Sequence, residues 1–104
     1  MAVELKTDQD FITSIATNEK VVVKYFADWC GSCRLFAPKF RRLSEEEKFN
    51  DVTFLDVNAE NSPEARKAAG VTNLPYFATF KNGELVEGQA TSKEESVVEL
   101  INKL

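Results

Sequence analysis

The run Val21-Val22-Val23-Lys24-Tyr25-Phe26 constrains the fold more than any other stretch of the chain. It is β-branched and aromatic, too short for a buried helix, and apolar on both faces. A strand of that kind needs a layer of structure on each side, so it reads as the central strand of a sheet covered by helices. The flanking segments supply the cover. Val3 and Leu5 make a weak strand start. Thr7 or Asp8 offers a cap for a helix over about 8–18, with Phe11, Ile12 and Ile15 on one face. After the loop Ala27-Asp28-Trp29, a longer helix is expected to run to about Lys48. It carries Leu35, Phe36, Phe40 and Leu43 at helical spacing, and Pro38 is expected to kink it.

The second half continues the alternation. Val52 to Val57 has the period of a strand. Ser62-Pro63-Glu64 opens a helix, with Ser as cap and Pro in the first turn, and Gly70 suits its end. Tyr76 to Lys81 and Glu84 to Glu87 are strands joined by Asn82-Gly83, a strong hairpin signal. Ser92-Lys93-Glu94-Glu95 forms a capping box for a last helix, with Val97, Val98, Leu100, Ile101 and Leu104 as its apolar face. The order is β-α-β-α-β-α-β-β-α. Parallel crossovers first and an antiparallel pair at one edge give a three-layer α/β/α architecture around a mixed sheet. With 104 residues and no linker or repeat, residues 1–104 are expected to form a single domain.

Composition then narrows the chemistry. No apolar run approaches the roughly 18 residues that cross a bilayer, so no membrane contact is expected. Met1 to Asp10 carries no basic stretch leading into an apolar one, so no signal peptide is expected, and the cytoplasm is the anticipated location. A net charge of −4 argues against nucleic acid as a partner. The chain has no histidine, which removes Ser–His and Cys–His nucleophile schemes.

Its only two cysteines, Cys30 and Cys33, are separated by two residues at a strand-loop-helix junction. A thiol at a helix N-terminus has its thiolate stabilised by unpaired N–H groups and the helix dipole. The thiolate is the species that attacks disulfides, and a second thiol three positions on can displace the first from a mixed disulfide. The spacing therefore supports a two-thiol exchange centre, Cys30 the outer nucleophile and Cys33 the resolving thiol. Half of a zinc site, a cluster shared between two chains and a pair of inert thiols are the alternatives. Zinc would want four ligands, and the chain offers no second cysteine pair.

The segment Trp29-Cys30-Gly31-Ser32-Cys33 resembles the active site of the thioredoxin family. The resemblance extends over essentially the whole chain: Ala27-Asp28-Trp29 before the motif, Pro38 after it, Leu74-Pro75 before the fourth strand, and Phe80-Lys81-Asn82-Gly83-Glu84 at the hairpin. It implies a thioredoxin fold and a reductant of protein disulfides that binds no cofactor and works through its redox-active Cys30–Cys33 disulfide. It also implies recycling by an NADPH-dependent thioredoxin reductase. A monomer is expected. By the same resemblance Pro75 would be a cis-proline facing the Cys pair, and Trp29, Gly31 and Leu74 would form an apolar lip around Cys30. The rivals are an oxidase or isomerase of higher potential, and a docking module whose binding ignores the thiol state.

Several residues depart from the family pattern. Ser32 stands where proline is usual, which frees a backbone donor, relaxes the turn and implies a less reducing centre. The family's buried Asp, commonly assigned as proton acceptor for the resolving thiol, falls at Lys24. By alternation Lys24 faces the side of Val22 and Phe26, and Asp56 on the adjoining strand is its expected partner. Asn73 and Tyr76 replace a glycine and a threonine beside Pro75. The glycine of the substrate groove aligns with Ala90, or with Gly88 after a shift of two places.

Overall fold

The computed structural model describes residues 3–104, so the first two residues of the Met1–Asp10 stretch, and of the 1–104 domain span, lie outside the described residues. In chain order the elements are β1 (Glu4–Lys6), α1 (Phe11–Thr17), β2 (Lys20–Phe26), α2 (Gly31–Ser44), a 3-10 turn (Glu47–Phe49), β3 (Val52–Asn58), α3 (Pro63–Ala69), β4 (Tyr76–Lys81), β5 (Glu84–Ala90) and α4 (Glu94–Asn102). The order matches the one expected from the sequence. The sheet runs β1-β3-β2-β4-β5, with β1 and β2 parallel to β3, β4 antiparallel to β2, and β5 antiparallel to β4.

β2 is central, and its alternation splits the core in two. Val21, Val23 and Tyr25 pack with Phe11 and Ile15 of α1 and with Ala65 and Ala69 of α3. Val22 packs on the other face with Phe36, Phe40 and Leu43 of α2 and with Val97, Leu100 and Ile101 of α4. Lys24 shares the parity of Val22, so it is directed at α2, and it is only 3% exposed.

Several local expectations need correction. α1 begins at Phe11 because Thr7–Asp10 closes a turn first, with the Asp10 and Phe11 amides both donating to the Thr7 carbonyl. Ile12 and Leu35 are exposed: Phe11 and Ile15, like Phe36, Phe40 and Leu43, hold the inward stripe, and neighbours one position away point elsewhere. α2 stops at Ser44 and not near Lys48, and the 3-10 turn that follows buries Phe49; Pro38 lies within the continuous helix. Neither serine expected as a cap acts as one. The Ser62 hydroxyl donates to Asn61, and the N-terminal amides of α3, Glu64 and Ala65, donate to the Asp8 carboxylate at 3.0 and 2.8 Å. α4 starts one residue late, at Glu94, where the Lys93 amide donates to the Thr91 hydroxyl. The hairpin turn is as expected, with Asn82 and Gly83 both at positive φ, 53° and 84°, as a two-residue primed turn requires, but its second strand runs on past Glu87 to Ala90, where it still pairs with β4.

Candidate active site

β2 delivers the chain to the end of the sheet's central strand, where a turn from the Cys30 amide to the Ala27 carbonyl leads it into α2. Cys30 is the N-cap, in extended conformation, and Cys33 lies in the first turn. The Cys33 amide donates to the Cys30 sulfur at 3.2 Å. An orphan amide of the helix is thereby satisfied by sulfur, and the same bond strengthens when that sulfur carries charge. The two cysteines form a disulfide, with Cα atoms 5.3 Å apart. Both are buried, and Ala27, Phe26 and Leu74 pack around them.

The Leu74–Pro75 peptide is cis, as the resemblance implied. Leu74 packs against the cysteine pair, and the Pro75 carbonyl accepts from the Thr91 amide at 3.3 Å, closing the ladder between β4 and the end of β5. Ala90 is in register with Tyr76, one residue past Pro75, and is exposed. Gly88 is occupied otherwise: a Cβ there would come within 2.5 Å of the Tyr76 hydroxyl. That position is glycine because the Tyr76 ring lies across it. At Gly31 a Cβ would meet nothing within 4 Å, so the space beside Cys30 is open.

Trp29 is 66% exposed beside the pair, and its indole N–H donates to the Glu60 carboxylate just after β3. Glu60 was not singled out from the sequence, since no local spacing connects it to position 29. The Arg34 guanidinium donates to the Asp28 carbonyl and so ties the loop before Cys30 to α2. Ser32, read for its freed backbone donor, also brings its hydroxyl to 3.7 Å from the Cys30 sulfur, within the looser hydrogen-bond range of sulfur.

Lys24 and Asp56 are register partners on β2 and β3, with Nζ 3.6 Å from Oδ1. The Lys24 ammonium also lies 5.7 and 5.6 Å from the ring centres of Phe26 and Phe40. Burial pushes the Asp56 carboxyl above the usual carboxylate range, and the Lys24 and Arg41 charges oppose the rise without cancelling it. Among the described residues no cluster of three metal-ligating side chains occurs, and no helix is long and apolar enough to cross a membrane.

A family model described as "Thioredoxin" matches residues 2–103. The chain is 36% identical over 87 residues to Thioredoxin-1 of Schizosaccharomyces pombe, covering 84% of this chain and 82% of that protein. It is similar in structure to Plasmodium falciparum thioredoxin (TM-score 0.88, 29% identity, 97% of this chain and 98% of the other). Mitochondrial thioredoxin 3 from Saccharomyces cerevisiae, solved in its oxidised form, is also similar (TM-score 0.88, 27% identity, 98% and 95% covered).

Proposed function

The chain belongs to the thioredoxin family and is a thiol–disulfide oxidoreductase, and we propose that it acts, as one domain, as a reductant of protein disulfides. Thioredoxins work through a redox-active cysteine pair and not through a bound cofactor; here that pair is Cys30 and Cys33. The observation that carries the reading is the Cys30 sulfur at the N-cap of α2, receiving a helix amide, with Leu74 and the cis-Pro75 peptide beside it.

In the proposed cycle the Cys30 thiolate attacks one sulfur of a substrate disulfide, and the other sulfur leaves as a thiolate that takes a proton from solvent. Cys33 then attacks Cys30, the Cys30–substrate bond breaks, and the second substrate thiol is released. The substrate gains two electrons and two protons, and the protein is left as its disulfide. Trp29, Gly31, Leu74, Pro75 and Ala90 are the proposed rim that receives the substrate segment, with the open space at Gly31 and the exposed Trp29 in support. Lys24 and Asp56 are the proposed supporting pair.

Re-reduction is assigned by family membership to an NADPH-dependent thioredoxin reductase. The proposed acting unit is a monomer, supported by the derivation of thiols, rim and cis-proline from one chain. Membranes and nucleic acid are not proposed as partners. The cytoplasm is the proposed compartment, because a working reductant must be kept reduced.

One observation favours a second reading, an oxidase or isomerase. The Ser32 hydroxyl near the Cys30 sulfur would stabilise the reduced form and raise the potential. Thioredoxin lies near about −270 mV and disulfide isomerase near about −180 mV. Equilibration against glutathione buffers places the protein on that scale, and insulin-type disulfide reduction measures turnover. We expect turnover in the wild type, none in Cys30→Ser, and stable mixed disulfides through Cys30 in Cys33→Ser. Partner binding that survives loss of both thiols, with no turnover in the wild type, would make the chain a docking module instead.

A further inference from the structure

Two cavities share Asp56 in their lining. One, about 190 Å³, is lined by Cys33, Lys24, Ala37 and Asp56 among others; the second, about 300 Å³, by Val3, Ala37, Phe40, Arg41 and Asp56. Only Ala37 and Asp56 line both. Cys33 and Asp56 both line the first, and Asp56 and Arg41, an exposed residue of α2, both line the second. At about 30 Å³ per water the first has room for several, and Lys24 and Asp56 supply polar partners for them.

The carboxylate is not saturated. Its ion pair with Lys24, at 3.6 Å, is longer than a hydrogen bond, and among the described residues the buried Oδ1 has no hydrogen-bond partner. A buried acceptor in that condition is placed to take a proton. Lys24 cannot serve, since an ammonium has three donors and no lone pair.

We propose that Asp56 accepts the proton of the Cys33 thiol in the resolving step, through water in the first cavity, and returns it to solvent through the second. The step rests on the dithiol reading above. As the Cys33 sulfur attacks Cys30, its proton passes by way of water to Asp56. The Cys30–Cys33 bond forms, the Cys30–substrate bond breaks, and the departing thiolate is protonated from solvent. The protein dithiol is oxidised by two electrons and the substrate disulfide reduced by two. Lys24 holds the carboxylate in place and is a positioning residue.

The charged and titratable groups around Asp56 are few. Lys24 faces it from β2, and Arg41, Arg34 and Cys33 from α2, while Asp28 lines the first cavity from the loop. β1 places the apolar Leu5 in register with it. The raised affinity of this carboxyl for a proton brings it closer to the thiol it would deprotonate.

The test is stopped-flow reaction of the reduced protein with dithio-bis-nitrobenzoate, which releases one coloured thiolate when Cys30 attacks and a second when Cys33 resolves. In Asp56→Asn the ratio of the second rate to the first should fall about a hundredfold at neutral pH. The deficit should close above about pH 9, where hydroxide ionises the thiol unaided. Asp56→Glu should recover most of the ratio. Lys24→Met/Asp56→Asn, with no buried charge left unpaired, should show the same pH-dependent deficit and decides the matter if the single variant does not fold. An unchanged ratio, or a deficit equal at every pH, overturns the relay. Release of only one equivalent by the wild type would instead overturn the dithiol reading.

Discussion

Lys24→Met removes the ammonium from the pair while keeping a stem of similar length. Position 24 is 3% exposed and lies among the rings of Phe26 and Phe40, so the flexible thioether finds apolar partners there. The Coulomb attraction lost at 3.6 Å is about 4–5 kcal/mol for an effective dielectric near 20. Most of that is offset, because methionine avoids the dehydration that a buried lysine suffers. What remains is the cost borne by Asp56. Stranding one member of a fully buried pair costs about 3–5 kcal/mol. The Asp56 side chain is 27% exposed and borders two cavities that water can enter, so the net loss should be smaller, about 2 kcal/mol at neutral pH.

The pH dependence gives the sharper check. Burial already raises the Asp56 carboxyl, and Lys24 is the larger of the two charges opposing the rise, so its removal raises the carboxyl further. A carboxyl raised by folding contributes stability that is full below its unfolded value, about 3.9, and is lost as pH rises through the folded value. The penalty of Lys24→Met should therefore be greatest at neutral pH and fade as the pH falls toward about 4. There the wild type loses the advantage of the pair, since Lys24 then faces a neutral acid. Urea unfolding of both oxidised proteins at several pH values measures this, with equal m-values as the control for a shared denatured state. A destabilisation that is constant, or that grows on acidification, would refute the coupling. Lys24→Met/Asp56→Asn should recover most of the loss at neutral pH.

Two other substitutions report on the rim of the site. Ser32→Pro removes the hydroxyl beside the Cys30 sulfur and fixes φ, so the protein should become more reducing by about 30 mV, tenfold in its equilibrium with glutathione; an unchanged or higher potential would show that Ser32 is neutral. Gly88→Ala places a methyl 2.5 Å from the Tyr76 hydroxyl and 2.8 Å from its ring, which should cost about 1–3 kcal/mol in urea unfolding and be relieved by Tyr76→Ser; wild-type stability in the single variant would mean that the ring swings aside freely.

The parts of the fold legible in the sequence are those set by short-range pattern. Val21–Phe26, apolar on both faces, could only be a central strand, and Asn82-Gly83 could hardly be anything but a tight turn. Caps were the least legible feature because a capping oxygen is chosen in space. Asp8 is near enough to α1 to look like its cap, yet its carboxylate serves α3 from 57 positions away. Ser62, at the right place in sequence for α3, donates elsewhere. The apolar faces of α1 and α2 are narrower than their runs of apolar residues suggest, for a similar reason. Ile12 and Leu35 adjoin inward-facing phenylalanines, but a step of one residue turns a side chain about 100° around a helix. At the site, the cysteine pair followed from its spacing, the Lys24–Asp56 pairing from alternation together with the family resemblance, and cis-Pro75 from that resemblance alone. The Glu60 tether on Trp29 and the Ser32 hydroxyl contact depend on loop geometry that no periodicity encodes.

The exchange of an acid for Lys24 is tolerable because of what strand register preserves. Lys24 and Asp56 are opposite one another on parallel β2 and β3, so the pair stays electrically balanced whichever strand carries the cation. The two positions are nevertheless unequal. Position 24 lies on the central strand beneath aromatic rings, where a long apolar stem packs well while its ammonium borders the cavity that Cys33 also lines. Position 56 lies one strand outward, between two cavities, where a short acid can exchange protons and a long stem would fill the space. Lysine on β2 and aspartate on β3 is thus the arrangement in which each side chain suits its surroundings. The acid that results is displaced from the strand that leads into Cys30 and shares a cavity with Cys33, the thiol whose proton has to leave.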